Sequence, residues 1–131
     1  TLCQYFADTG RKPEDFDLIL TGDLGFVGSR LLERLMHAEG YPMAKLHNDC
    51  GLMIYDRLTQ DVHAGGSGCG CAASVLCSFI LPQIACHRLK NVLFLATGAL
   101  MSPTSVQQGE SIPGIAHLLH LSDQPNSPEQ M

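Results

Sequence analysis

Along the first forty residues the apolar positions change rhythm twice. A short helix over Leu2 to Asp8 gives way to a loop punctuated by Gly10 and Pro13. The run Phe16-Asp17-Leu18-Ile19-Leu20-Thr21-Gly22 is then compact, apolar and closed by glycine, the pattern of a buried parallel strand. Leu31, Leu32, Leu35 and Met36 share one helical face, with Arg30, Glu33, Arg34 and His37 on the other. Ser29 is placed to cap this helix and Gly40 to end it, so it is expected to pack on one side of a sheet. Between Leu46 and Gln60 no period dominates, and Gly51-Leu52-Met53-Ile54-Tyr55 suits a strand or a turn of helix equally.

From Gly68 to about His87 the chain is apolar nearly all round, and a helix without a polar face must be covered on every side. Two stripes run along it. Cys71, Ser74, Ser78 and Pro82 form a ridge of small residues, suited to close approach by another helix, while Val75, Leu76, Phe79, Ile80 and Ile84 form a bulky one for this chain's own sheet. Asn91 to Thr97 is a second apolar strand, ending at Gly98, and Gly114 to Leu121 a last strand, antiparallel at or near an edge. The order of elements describes a layered α/β unit over residues 1–121, with a mixed, mostly parallel sheet and a buried central helix. The tail 122–131, rich in Asp, Asn, Ser and Pro, is expected to be disordered. The sequence holds nothing to cover the outer side of the buried helix, so a second half or a second copy must, and a homodimer through that helix is expected.

Composition narrows the classes of function. With a net charge of −5 and eight Lys plus Arg scattered singly, the chain lacks the basic footprint that nucleic acid or an anionic lipid surface requires. The longest apolar stretch, Cys71 to Leu81, is too short to span a bilayer and runs into Pro82, and no signal peptide is visible. Six cysteines without a secretory signal, three of them in apolar helical sequence, read as reduced thiols. The opening at Thr1, without Met, is what a piece of a longer protein would show.

Four separated motifs then carry a resemblance: Asp17-Leu-Ile-Leu-Thr-Gly-Asp-Leu-Gly25, Gln60-Asp-Val-His-Ala-Gly-Gly-Ser-Gly-Cys-Gly-Cys71, Ala96-Thr-Gly-Ala-Leu-Met-Ser-Pro103 and Gln107-Gln-Gly-Glu-Ser-Ile-Pro-Gly-Ile-Ala-His117. In this order they closely resemble the C-terminal part of the stage V sporulation protein AD family, thiolase-like proteins of endospore-forming bacteria. The resemblance implies a fold of two pseudo-repeated halves whose central helices pack between two sheets, of which this chain is the C-terminal half. It also implies a part in taking dipicolinic acid, with calcium, into the developing spore, peripheral at the spore or forespore inner membrane and alongside stage V AC- and AE-type membrane proteins.

Within that resemblance, His63-Ala-Gly-Gly-Ser-Gly68 is similar to a shortened thiolase histidine loop. Glycines ahead of the buried helix expose backbone N–H groups at its positive end, and with His63 and the Ser67 hydroxyl these suit a carboxylate. The plain alternative is a tight turn against a crowded interface, with His63 structural. The nucleophilic Cys of condensing enzymes of this fold belongs to the half this chain lacks. Where those enzymes carry a second His after the first strand the sequence reads Gly22-Asp23; in place of an Asn at the start of the buried helix it reads Cys69; in place of a second Cys before a glycine run it reads Ala96-Thr97-Gly98. These departures point to a fold kept as a binding shell and not to an enzyme.

Cys69 is expected to be a packed small residue, with a reactive thiol the alternative. Cys50, His63, Cys69 and Cys71 are weighed as a zinc set and set aside, because Gly70 and the helix start would turn the thiols apart; no metal and no cofactor are expected, and the Gly66 to Gly70 run lacks the strand and acidic partner of a dinucleotide site. His117 and His120 read as packing or surface residues. The expected ligand contacts are His63, Gly66, Ser67 and Cys69, with Thr97 and Ser111 from neighbouring loops. Two other readings stay open: an acyl-transfer or condensing enzyme of the thiolase superfamily, and a structural assembly subunit of a spore membrane complex.

Overall fold

The computed structural model describes residues 1–96, 98, 102–111 and 114–124. The sheet has four strands, β1 (Leu18–Thr21), β2 (His47–Asp49), β3 (Asn91–Leu95) and β4 (Leu118–Ser122), in the order β2-β1-β3-β4. The first three run parallel and β4 lies antiparallel beside β3 at the edge, so the mixed, mostly parallel α/β sheet expected from the sequence is present.

Alternation along the strands divides the core in two. Ile19, Leu93 and Leu95 face α1 (Leu2–Thr9) and α2 (Gly25–Ala38), meeting Leu2, Phe6, Phe16, Met36 and Met43. Leu20, Val92 and Phe94 face the other way, onto Cys50, Cys71, Val75, Ile80 and Ile84. Strands buried on both faces are why these segments are continuously apolar.

The α2 crossover and the central helix therefore lie on opposite faces, and the ambiguous segment resolves as β2 followed by α3 (Cys50–Met53), a turn of helix and not a strand. Ser29 does not cap α2: it is buried inside the helix, which begins four residues earlier at Gly25. Leu31 and Leu35 also differ from expectation, lying 54% and 64% exposed while Leu32 and Met36 turn inward.

The central helix is built from α4 (Cys71–Val75), a π-turn over Leu76–Ile80, and α5 (Leu81–Ala85). Pro82 has no N–H to offer, and its ring crowds the carbonyl of Ser78; the helix widens just ahead of it, with the Leu81 amide reaching back to Leu76. The extra residue shifts the buried row to Cys71, Val75, Ile80 and Ile84, a 4-5-4 spacing. Cys71 thus belongs to the sheet-facing row instead of the small ridge, and Phe79, expected inside, is 49% exposed beside Ser74, Ser78 and Pro82.

At the C-terminal end, Ser122 is the last residue of β4 and the Asp123 carboxylate lies 3.0 Å from His87 Nδ1. Of the segment expected to be disordered, 125–131 lie outside the described residues. His120 is half-buried at an edge of Phe16 and within hydrogen-bond distance of Asn91, a packing role as expected. All six cysteines are free thiols.

Candidate functional site at the carboxyl ends of the parallel strands

Parallel strands in the order β2-β1-β3 send their connections to opposite faces, which leaves a crevice outside the carboxyl ends of β1 and β3. A cavity of about 450 Å³ opens there, walled by Thr21 and Gly22 after β1, Leu95, Ala96 and Gly98 after β3, and Leu24, Leu32, Leu35 and Met36 of α2 and its approach. Its walls are mainly apolar, with the Thr21 hydroxyl and glycine backbone at the strand ends.

Beside it stands a buried carboxylate. Asp49, at the end of β2, is fully buried. One oxygen accepts the Thr21 hydroxyl at 2.6 Å and the Leu24 amide at 2.9 Å; the other accepts the Gly25 and Gly51 amides, both at 3.0 Å. Four donors replace the water that a buried carboxylate loses. Thr21 is held from a second side by His47, whose Nε2 lies 3.0 Å from the same hydroxyl and whose Nδ1 lies 3.2 Å from Glu33; Arg30 pairs with Glu33 at 3.0 Å.

The glycine loop is tied to this frame by backbone. The Phe26 amide donates to Ala64 at 2.8 Å and the Gly66 amide to Gly51 at 2.7 Å. Backbones pass so closely that a Cβ on Gly51 would collide with the Gly66 carbonyl, and one on Gly66 would sit 2.5 Å from Ile54. Asp23 holds the far side of the loop, accepting the Ser67 hydroxyl at 2.8 Å and the Gly68 amide at 3.0 Å.

Two thiols stand by these carboxylates. Burial, with the nearby carboxylates of Asp49 and Asp23 behind it, pushes the Cys50 thiol up to about 12, and burial with Asp23 and Asp49 raises Cys71. Both are therefore held as neutral thiols, a poor state for a nucleophile or a metal ligand. Among the described residues no group of three His, Cys, Asp or Glu side chains is placed to hold a metal ion.

The family model of Stage V sporulation protein AD (SpoVAD) matches residues 1–122. The chain is also 50% identical over 117 residues to Stage V sporulation protein AD of Bacillus subtilis (strain 168), a match covering 89% of this chain and 34% of that protein. This chain belongs to the stage V sporulation protein AD family. It spans about a third of the length of the curated relative it matches, and its role lies in sporulation.

Within this chain the expected contacts are distributed unevenly. Gly66 and Ser67 lie in the anchored loop, Gly66 buried with its amide already given to Gly51, and Ser67 with its hydroxyl given to Asp23. His63 adopts a left-handed conformation (φ 46°) and its side chain is 88% exposed, 3.6 Å from Asp61, while its carbonyl accepts from Arg57. Cys69 is exposed and not packed, and Ser111 is exposed beyond α6 (Pro103–Gln107). Thr97 lies outside the described residues.

Thr21, Asp23, His47 and Asp49 were not singled out as site residues by the sequence. A usable signal existed for two of them: Thr21 closes an otherwise apolar strand, and Asp49, two residues ahead of the Gly51 amide it accepts, has the spacing of a helix cap. Nothing in the local pattern singles out His47. Among the described residues no helix is long and apolar enough to cross a membrane.

Proposed function

We propose that this chain supplies part of a non-enzymatic binding shell for dipicolinic acid, carried with calcium as joint cargo, in uptake into the developing spore. In this reading the protein sits peripherally at the spore inner membrane and works with AC- and AE-type stage V membrane proteins. The supporting observation is the cavity at the β1–β3 crevice, with Gly22, Asp23 and Leu24 in succession serving as wall, loop anchor and wall. Apolar walls suit a pyridine ring, and the glycine backbone at the strand ends suits its polar edge.

Charge chemistry favours the calcium complex. Asp23 already takes the loop donors that a free ligand carboxylate would want, and the chain carries a net charge of −5, so a bare dianion meets repulsion that its calcium chelate does not. The exposed apolar residues of the central helix, Phe79 and Leu81, favour a second copy or half against it.

Calorimetric titration of the full-length protein with dipicolinate, with and without calcium, tests the reading, run beside incubation with acyl-CoA and mass spectrometry. Saturable, calcium-enhanced binding without a cysteine adduct is expected. A stable acyl-cysteine adduct would establish the condensing-enzyme alternative; neither adduct nor binding would leave the assembly subunit.

A further inference from the structure

We propose that Asp49, acting through Thr21, is the positioning residue of the candidate site, fixing the cavity wall and the glycine loop together. The proposal rests on the reading of the β1–β3 crevice as the ligand site, but its structural half stands on hydrogen bonds alone.

A fully buried carboxylate is costly, and among the described residues Asp49 has no Lys or Arg in ion-pair contact. An apolar residue of similar size is often no less stable in such a place. What an apolar residue cannot do is gather donors from separate segments at one point. Asp49 gathers Thr21 from the end of β1, Leu24 and Gly25 from the start of α2, and Gly51 from α3.

Those partners are the ones the site is built on. Thr21 and Leu24 are cavity walls. Gly51 accepts from the Gly66 amide, and Phe26, next to Gly25, donates to Ala64, so both backbone ties of the loop run to residues that Asp49 holds or to their neighbours. The Thr21 hydroxyl donates its proton to Asp49 at 2.6 Å, and its oxygen also lies 3.0 Å from His47 Nε2, whose other ring nitrogen is 3.2 Å from Glu33. The hydroxyl is thereby fixed from two sides, which a valine of the same shape would not be.

The experiment is hydrogen exchange read by mass spectrometry on the full-length protein and on Thr21→Val, Thr21→Ser and Asp49→Asn, with dipicolinate affinity measured in the presence of calcium. In Thr21→Val, exchange in peptides covering residues 64–68 should accelerate about tenfold, the scale of one buried hydrogen bond, with β3 and β4 unchanged. Affinity should fall with it, and Thr21→Ser should recover both. Asp49→Asn, which turns one acceptor oxygen into a donor, should shift the same peptides further. Unchanged exchange at 64–68 in both Thr21→Val and Asp49→Asn, or acceleration shared equally by β3 and β4, overturns the proposal. The altered loop exchange without any dipicolinate binding by the parent protein would sustain the positioning role and sink the ligand reading instead.

Discussion

Ser67 donates its hydroxyl to Asp23 at 2.8 Å, and the following amide, Gly68, reaches the same carboxylate oxygen at 3.0 Å. These are the donors that the loop sequence seemed to hold ready for a ligand carboxylate, and an internal acid occupies them. In the binding role proposed above, Asp23 would repel a bare anion and tolerate one whose charge calcium has cancelled. Asp23→Asn should raise the affinity of the full-length protein for dipicolinate without calcium and shrink the calcium enhancement. Calorimetry in matched buffers reads both, and an enhancement unaltered by the substitution contradicts this role.

Close backbone passage makes a second prediction. Gly66→Ala places a methyl 2.5 Å from Ile54 Cγ2 and 3.0 Å from the Tyr55 ring, and should cost about 1–3 kcal/mol in thermal unfolding. Gly70→Ala meets nothing within 4 Å and should be neutral. Equal midpoints for the two variants would mean that the loop does not lie against Ile54 and Tyr55.

The thiols divide by environment. In the folded chain Cys69 and Cys86 are exposed and should alkylate at pH 8, while Cys50 and Cys71, buried and held as thiols, should not. Because the folded Cys50 binds its proton more tightly than its ordinary value of 9.0 allows, its contribution to stability is complete below pH 9 and declines as pH rises toward about 12. Cys50→Ala should flatten that alkaline decline. Peptide mapping after brief alkylation, with denaturation curves at pH 8 and 10, checks both halves.

Two helix faces remain apolar and outward: Phe79 and Leu81 on the central helix, Leu31 and Leu35 on α2. The chain made alone is expected to sediment as a dimer, and Phe79→Asp to sediment as a monomer of unchanged circular dichroism. A parent chain that is monomeric at tens of micromolar on the order of a weak association, or a dimer indifferent to Phe79→Asp, removes the central helix from that interface.

The strands were legible because burial on both faces leaves no polar alternation to misread: Leu18 to Thr21 and Asn91 to Leu95 stand inside the predicted runs. The direction of β4 was legible too. The central helix was legible as an element and largely in its facing: Val75, Ile80 and Ile84 are buried against the sheet with Leu76 packed beside them, while Phe79, inside the π-turn ahead of Pro82, turns outward and Cys71 turns inward, which no helical template of fixed period anticipates. Leu31 and Leu35 were assigned inward on the ordinary assumption that apolar means buried, yet they stand exposed while Leu32 and Met36 carry the face turned to the core. The site was legible only as a glycine loop. Its organiser, Asp49, shows the local spacing of a helix cap for Gly51, but its other partners stand 28, 25 and 24 positions away, separations at which one sequence carries no signal.

The central claim is that ligand binds where β1 and β3 end, against the loop that Asp23 and Asp49 hold. Hydrogen exchange of the full-length protein with and without calcium dipicolinate tests it most directly. The account requires protection to rise in peptides covering residues 21–25 and 63–68 together, with α1 and β4 unmoved. Saturable binding that protects neither segment would contradict it.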